Sequence, residues 1–225
     1  MKHARSLIAA STLFGFLIAP TAGAEVPRVR LMAAPDGGIQ PQAAVDAKGV
    51  VHLIYFRGEA RAGEIFYVRR EPGRENFSKP IPVNSQPRTA MAMGTIRGAQ
   101  LAIGKNGRVH VVWDGMGEGT TASDARHSDN ASGHSHPAHD AAGDKKPLFY
   151  TRLNDAGSAF EPERNVITYA WGLDGGSSVA ADPEGNVYVA WHAPKPHNVE
   201  GEAGRAVFVA RSIDEGKTFQ NVNCA

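Results

Sequence analysis

The sequence has little cysteine, little net charge and no long apolar run beyond its first residues. Cys224 is the single cysteine among 225 residues, which excludes an internal disulfide framework. No stretch after residue 24 is long and apolar enough to cross a bilayer. The 24 basic residues nearly balance the 23 acidic ones, so the charge gives no reason to expect a nucleic-acid partner.

Common catalytic signatures are also missing from the sequence. There is no Gly-x-Ser-x-Gly elbow, no His-Glu-x-x-His pair and no Walker loop. Asp182-Pro183-Glu184 has the composition of a hairpin turn rather than of a catalytic carboxylate pair. We therefore expect no cofactor.

Residues 1–24 contain the three parts of a secretory signal peptide. A basic start at 2–5 precedes an apolar run over 7–19, and small residues at 22–24 form a cleavage pattern. The alternative, a membrane anchor, is disfavoured because the apolar run is too short for a comfortable span. We predict cleavage after Ala24 and a secreted or periplasmic product. Removal of two basic residues leaves 22 of them against 23 acidic ones.

The rest of the chain contains a threefold repeat. The segments DAKGVVHLIYF (46–56), GKNGRVHVVWD (104–114) and DPEGNVYVAWH (182–192) align without a gap. A second set follows, also without a gap: IFYVRREPGRENF (65–77), LFYTRLNDAGSAF (148–160) and VFVARSIDEGKTF (207–219). Glycine recurs at the turn of the first set, as a tight turn with positive φ requires.

Each unit of the repeat contains four short strands separated by turn signals. In the first unit they fall near 41–46, 50–56, 64–70 and 79–83, and helical periodicity is absent. The pattern predicts an all-β fold, a β-propeller of four-stranded blades, with about three blades near 40–84, 98–168 and 176–225. A β-sandwich and another all-β solenoid are the alternatives.

The turn SIDEGKTF (212–219) is the best-preserved member of its set. Its pattern residues are Ser212, Asp214, Gly216, Thr218 and Phe219, and the second copy retains Asp155, Gly157 and Phe160. An Asp side chain accepts hydrogen bonds from nearby amides and glycine takes the positive φ, so a structural role is expected.

The SIDEGKTF turn resembles the Asp box, or BNR repeat, of the sialidase superfamily. That resemblance implies a six-bladed propeller whose Asp boxes lie away from the active site. Since three blades do not close a ring, we expect a truncated member of the superfamily, or alternatively identical chains that assemble to close it.

The loops opposite the Asp boxes vary in length among the units, as functional loops do. They cover 57–63, 115–146 and 193–204. Candidate ligand-binding residues at the strand ends and in the links on this side are Arg57, Arg97, Trp113, Asp114, Trp171, Asp174, Trp191 and His192. Aromatic rings with a few polar groups suit a carbohydrate. Tyr55, Trp113 and Trp191 share one repeat position, however, so packing between blades is the alternative for the tryptophans.

The insertion at 115–146 is rich in histidine. It contains His127, His134, His136 and His139, with Asp129 and Asp140. These residues form a weak candidate site for zinc or copper. The alternative is a solvated loop, because Ala, Ser, Gly and Asp surround them.

The resemblance also implies which residues a sialidase would need. Ile39 occupies the position of the family's first carboxylate-binding arginine, and Arg57 matches the second. Only Glu59 and Glu64 are near the expected acid/base aspartate, and the tyrosine nucleophile would lie in later blades. We therefore predict a glycan- or protein-binding protein that is not catalytic as this chain. The alternative is an exo-α-sialidase or related glycoside hydrolase.

Overall fold

The computed structural model describes residues 29, 31–92, 98–115, 146–167, 176–195 and 204–222. The signal peptide, the histidine-rich loop with its four candidate ligands, Arg97, Trp171 and Asp174 lie outside these ranges, so those predictions remain predictions. One compact unit, Ala33–Ala225, contains all of the described strands. The other, Met1–Met32, has three described residues, all of them exposed.

The first sheet, sheet 1, is a four-stranded antiparallel meander. Its strands are β1 (Ile39–Val45), β2 (Val51–Glu59), β3 (Ala62–Arg70) and β4 (Ile81–Pro82), and they lie side by side in chain order. The four strands predicted for this unit are all present.

Sheets 2 and 3 repeat this arrangement. Sheet 2 consists of β5 (Gln100–Ile103), β6 (Val109–Asp114), β7 (Leu148–Arg152) and β8 (Arg164–Asn165). Sheet 3 consists of β9 (Ser178–Ala181), β10 (Val187–Pro194), β11 (Arg205–Ser212) and β12 (Gln220–Val222). The all-β class and the four-stranded unit are therefore confirmed. Short 3-10 turns lie at Pro35–Gly37 and Lys105–Gly107.

The hydrophobic core lies between consecutive sheets. At the first join, between sheets 1 and 2, Ile54, Phe56 and Tyr67 pack with Val111 and Trp113. Side chains alternate across a strand, so each sheet has two faces that can be buried. The second face of sheet 2 forms the other join.

The second join, between sheets 2 and 3, has the same design. Val112, Leu148 and Tyr150 of sheet 2 pack with Val189 and Trp191 of sheet 3. Sheet 2 is thus covered by a neighbouring sheet on both faces.

One aromatic contact recurs at both joins. The ring of Phe160, in the turn after β7, meets Tyr67 of sheet 1 edge-on, with centroids 5.6 Å apart. The ring of Phe219, in the turn after β11, meets Tyr150 of sheet 2 edge-on at 4.8 Å. The conserved spacing of the two phenylalanines in the repeat therefore places each turn on the preceding sheet.

The 212–219 turn is held by hydrogen bonds to two side chains. Ser212 Oγ donates to Asp214 Oδ1 over 2.7 Å and accepts from the backbone N–H of Gly216 over 2.8 Å. Asp214 also accepts from the N–H and the hydroxyl of Thr218, at 2.9 and 2.7 Å. Desolvation, the largest influence on the pKa of Asp214, raises it, but these hydrogen bonds together bring the pKa down to about 2.

We expect Asp214→Ala to lower the free energy of unfolding by about 2 kcal/mol, because the turn loses several hydrogen bonds to a charged acceptor. Asp155→Ala is the matched control. Asp155 holds the same repeat position but is exposed, so its loss should cost less than half as much. Urea unfolding of the two variants measures the difference. No measurable loss for Asp214→Ala would show that the 212–219 hydrogen bonds do not stabilise the protein.

Candidate functional site

Each sheet has two ends, which differ in the connections they carry. At the turn end lie the turn between the first and second strands of each sheet and the turns that contain Phe160 and Phe219. At the loop end lie the β2–β3 hairpin, the end of β6, the end of β10 and the start of β11. The loop ends of sheets 1 and 2 are joined by bridges from Ala90 to Gly63 and to Gly115.

Arg57 is the sequence-predicted residue that the structure presents to solvent at the loop end. Its side chain is 45% exposed, and Nη1 lies 3.5 Å from Asp36 Oδ2. Its guanidinium also lies over the ring of Phe66, 5.4 Å from the centroid. Two contacts therefore hold the guanidinium in place while part of its donor fork remains accessible.

Trp113 and Trp191 are buried rather than displayed at the loop end. Trp113 is 0% exposed and packs against Phe149, with ring centroids 5.6 Å apart. Trp191 is 2% exposed and stacks on Phe208 at 5.8 Å. Neither ring has a face open to a sugar, so the structure gives both tryptophans the packing role that their shared repeat position indicated.

Asp114 and His192 lie at the loop end with smaller accessible surfaces. Asp114 is buried at the end of β6, where it pairs in register with Leu148. His192 is half-buried and accepts a hydrogen bond at Nδ1 from Arg205 Nε over 3.3 Å. Arg205 was not among the predicted site residues, because it follows the variable 193–204 loop and belongs to neither aligned set.

The positions that a sialidase would use for catalysis are occupied differently here. Ile39 is half-exposed and lies opposite Phe56 in the sheet, with no charge to bind a carboxylate. Glu64 Oε1 accepts the backbone N–H of Arg88 over 3.2 Å, and Glu59 is exposed beside the hairpin tip. The carboxylate of Glu64 thus fixes the loop that precedes Ala90.

At the turn end of sheet 2, a basic cluster consisting of Arg108, Arg152 and Arg164 holds the 212–219 turn. Arg108 Nε donates to Glu215 Oε2 over 3.0 Å and also binds Asp155. Arg152 Nη1 donates to the carbonyl of Glu215 over 2.9 Å, and Arg164 donates to the carbonyls of Gly216 and Lys217. Because the charges face backbone carbonyls and paired carboxylates, the cluster stabilises the second join.

The Arg108 contact also affects the charge of Asp155. A hydrogen bond from Arg108 and its positive charge lower the pKa of the Asp155 carboxyl. This residue was predicted to have a structural role, and in the described fold it pairs with the basic cluster.

Two buried histidine–tyrosine pairs were not predicted. His52 Nδ1 lies 2.8 Å from Tyr67 Oη, and His110 Nδ1 lies 2.7 Å from Tyr150 Oη. His52 and His110 share one position of the sequence repeat, but that position does not reveal their tyrosine partners. One feature of the sequence could have revealed the pairs. The two units that have the histidine also have a tyrosine, Tyr67 or Tyr150, at the position where the third unit has Val209.

Within the described ranges, no group of three or more His, Cys, Asp or Glu side chains is arranged to hold a metal ion. The same ranges contain no helix with the length and apolar character of a membrane span.

Comparison with known proteins gives only distant similarities. No protein-family model matches the chain. No curated protein matches it significantly. Membership of the sialidase superfamily therefore remains a prediction from the turn motif.

Among solved structures, the chain is similar to a polysaccharide lyase of family PL25, an ulvan lyase, with a TM-score of 0.46 and 15% identity. It is also similar to a GH32 β-fructofuranosidase of Bombyx mori, with a TM-score of 0.41 and 12% identity. The matches cover 80% and 85% of this chain but only 42% and 39% of those proteins, so the chain spans about two fifths of their length. Similarity at this level transfers no activity to this chain.

Proposed function

We propose that this protein is an exported carbohydrate-binding module in which each four-stranded sheet is one blade of an Asp-box propeller. The signal-peptide pattern supports export, and the threefold sequence repeat supports the propeller. The two joins, each with a Phe-bearing turn on the preceding sheet, are consistent with successive blades of such a fold.

The observation that carries the binding function is the fixed, accessible guanidinium of Arg57 at the loop end. Asp36 and Phe66 limit its motion, so less conformational entropy is lost when it binds a ligand. Its planar donor fork fits the oxygens of a carboxylate or of neighbouring sugar hydroxyls. The turn end is less suited to binding because its arginines already contact the 212–219 turn.

We expect Arg57→Ala to weaken binding to a polysaccharide at least tenfold, a loss of about 1.4 kcal/mol. The measurement is calorimetric titration of the intact exported protein with a panel of neutral and uronic-acid-containing polysaccharides. Arg74→Ala is the control, because Arg74 is also exposed on sheet 1 but lies at the turn end.

Equal weakening by Arg57→Ala and Arg74→Ala would contradict the assigned site. If no polysaccharide in the panel binds, the carbohydrate proposal fails, and a protein partner captured through Arg57 becomes the remaining binding function.

A glycoside hydrolase remains the second candidate because Arg57 matches an arginine of the sialidase pattern. The same panel, extended with sialosides, separates the two functions when released sugar is measured by chromatography. Binding without release supports the module, whereas release that requires Glu59 or Glu64 supports the enzyme.

A further inference from the structure

We infer that the two joins respond differently to acid, so that mild acid loosens sheet 3 from sheet 2 before it loosens sheet 2 from sheet 1. This is a property of the sheet packing and is independent of the proposed carbohydrate site. It rests on the surroundings of the two buried histidine–tyrosine pairs.

The two pairs have nearly the same internal geometry. The rings of His52 and Tyr67 are stacked with centroids 5.9 Å apart, and those of His110 and Tyr150 with centroids 6.0 Å apart. All four side chains are buried. Each tyrosine also contacts, edge-on, a phenylalanine of the following sheet: Tyr67 contacts Phe160, and Tyr150 contacts Phe219. Each histidine–tyrosine pair is therefore part of one join.

The pairs differ in the charge available to a protonated imidazole. At the first join, Nε2 of His52 lies 3.5 Å from Asp46 Oδ2, and Glu71 adds a second negative charge against the positive charge of Arg69. At the second join, Gly104 takes the repeat position of Asp46 and lies close to His110 Nε2. No carboxylate occupies that position beside His110.

Positive groups surround the His110 pair. Arg108 lies just before β6, Arg152 lies opposite His110 on β7, and the guanidinium of Arg164 lies 5.3 Å from the centroid of the Tyr150 ring. The other charged groups near the pair already have partners. Asp155 and Glu215 pair with Arg108, Glu161 pairs with Arg152, and Lys105 lies beside Glu215. A charge on His110 would thus lie beside Arg108 and Arg152, whose positive charges disfavour it.

Burial and the nearby Arg108 and Arg152 lower the pKa of His110 to about 3. Burial also lowers the pKa of His52, but Asp46 opposes that shift. A histidine whose pKa is lower in the folded state stabilises the fold above its unfolded pKa of about 6.5 and loses this contribution as the pH falls toward the folded pKa. The window for His110 therefore extends from about pH 6.5 to about pH 3.

The carboxylates of the turns do not obscure the upper part of this window. Asp155 and Asp214 both have pKa values below the ordinary value of 3.8, so they remain largely charged in both states down to about pH 4.5. Between pH 6.5 and pH 4.5, the difference between the joins comes from the histidines.

The test is native-state hydrogen exchange of the full chain at pH 7.0 and pH 4.5, read by mass spectrometry and corrected for intrinsic rates. We expect opening at β9 and β11 to become about 100-fold more frequent at pH 4.5, since each pH unit below 6.5 contributes about tenfold. Opening at β2 and β3 should increase by a smaller factor. Equal increases at the two joins, or a larger increase at the first, would overturn the inference.

Two variants separate the histidine chemistry from general acid effects. His110→Asn keeps a polar atom near Tyr150 Oη but does not titrate, so the extra acid sensitivity of the second join should disappear. Asp46→Asn keeps an acceptor for the amides of Lys48 and Val50, and it should raise the acid response of the first join toward that of the second.

Asp182→Asn is the matched control, because Asp182 holds the same repeat position in sheet 3, where Tyr188 replaces the histidine. It should leave the acid response of both joins unchanged. If His110→Asn does not fold, the Asp46→Asn variant decides the question. An unchanged acid response of the first join overturns the inference, and a larger acid response there supports it.

Discussion

Gly216→Ala is expected to lower the free energy of unfolding by about 2–5 kcal/mol. Gly216 has φ +79°, a conformation that alanine adopts at a cost of about 1–2 kcal/mol. A Cβ atom built on Gly216 would lie 1.7 Å from Tyr150 Oη, so the turn would also have to move away from sheet 2. The overlap adds an overpacking cost of about 1–3 kcal/mol.

Gly157→Ala provides the matched control for Gly216→Ala. Gly157 has the same repeat position and φ +64°, but the nearest atom to its Cβ position is Arg69 Nη1 at 4.0 Å. Only the conformational cost applies, so we expect a loss of about 1–2 kcal/mol. Denaturant unfolding of both variants gives the comparison. Similar losses would mean that the close approach of Gly216 to Tyr150 does not support the second join.

Trp113→Ala is expected to lower the free energy of unfolding by about 3–5 kcal/mol, because it leaves a cavity at the first join. Trp113 is fully buried and packs on Phe149 with residues of sheet 1 beside it. Trp113→Phe retains an aromatic ring at this position and should cost less than half as much.

The same two variants separate packing from ligand binding. Because Trp113 has no exposed surface, Trp113→Phe should leave the polysaccharide affinity unchanged within twofold. A large loss of affinity with little change in stability would instead identify Trp113 as a ligand contact.

The sequence repeat was sufficient to predict the sheets because alternation and turn residues recur three times. Differences are confined to strand ends. β2 was predicted to end at 56 but extends to Glu59, because it pairs with β3 as far as the pair Glu59–Ala62. β4 covers only Ile81–Pro82 within the predicted 79–83, because Pro80 and Pro82 lack an N–H donor.

The candidate site was less predictable than the sheets. An aromatic residue near the end of a strand can lie between two sheets or face solvent. The sequence of the strand alone does not distinguish these two placements. Trp113 and Trp191 lie between sheets. The ion pair of Arg57 with Asp36 depends on the path of the 3-10 turn at Pro35–Gly37, which no repeat marks.

The buried histidine–tyrosine pairs illustrate the same limit. His52 lies on β2 and Tyr67 on β3, but His52 is opposite Arg69 in the hairpin and Tyr67 is opposite Ile54. The pair is therefore diagonal, and cross-strand pairing alone does not predict it.

The central claim is that the loop end binds carbohydrate while the turn end joins the sheets. The most direct measurement is hydrogen exchange of the intact protein with and without the polysaccharide that binds it most tightly. We predict ligand-dependent protection at 57–64 and at 205–208, with no change at 71–78 or 212–219. Protection at the turn end without protection at the loop end would contradict the account.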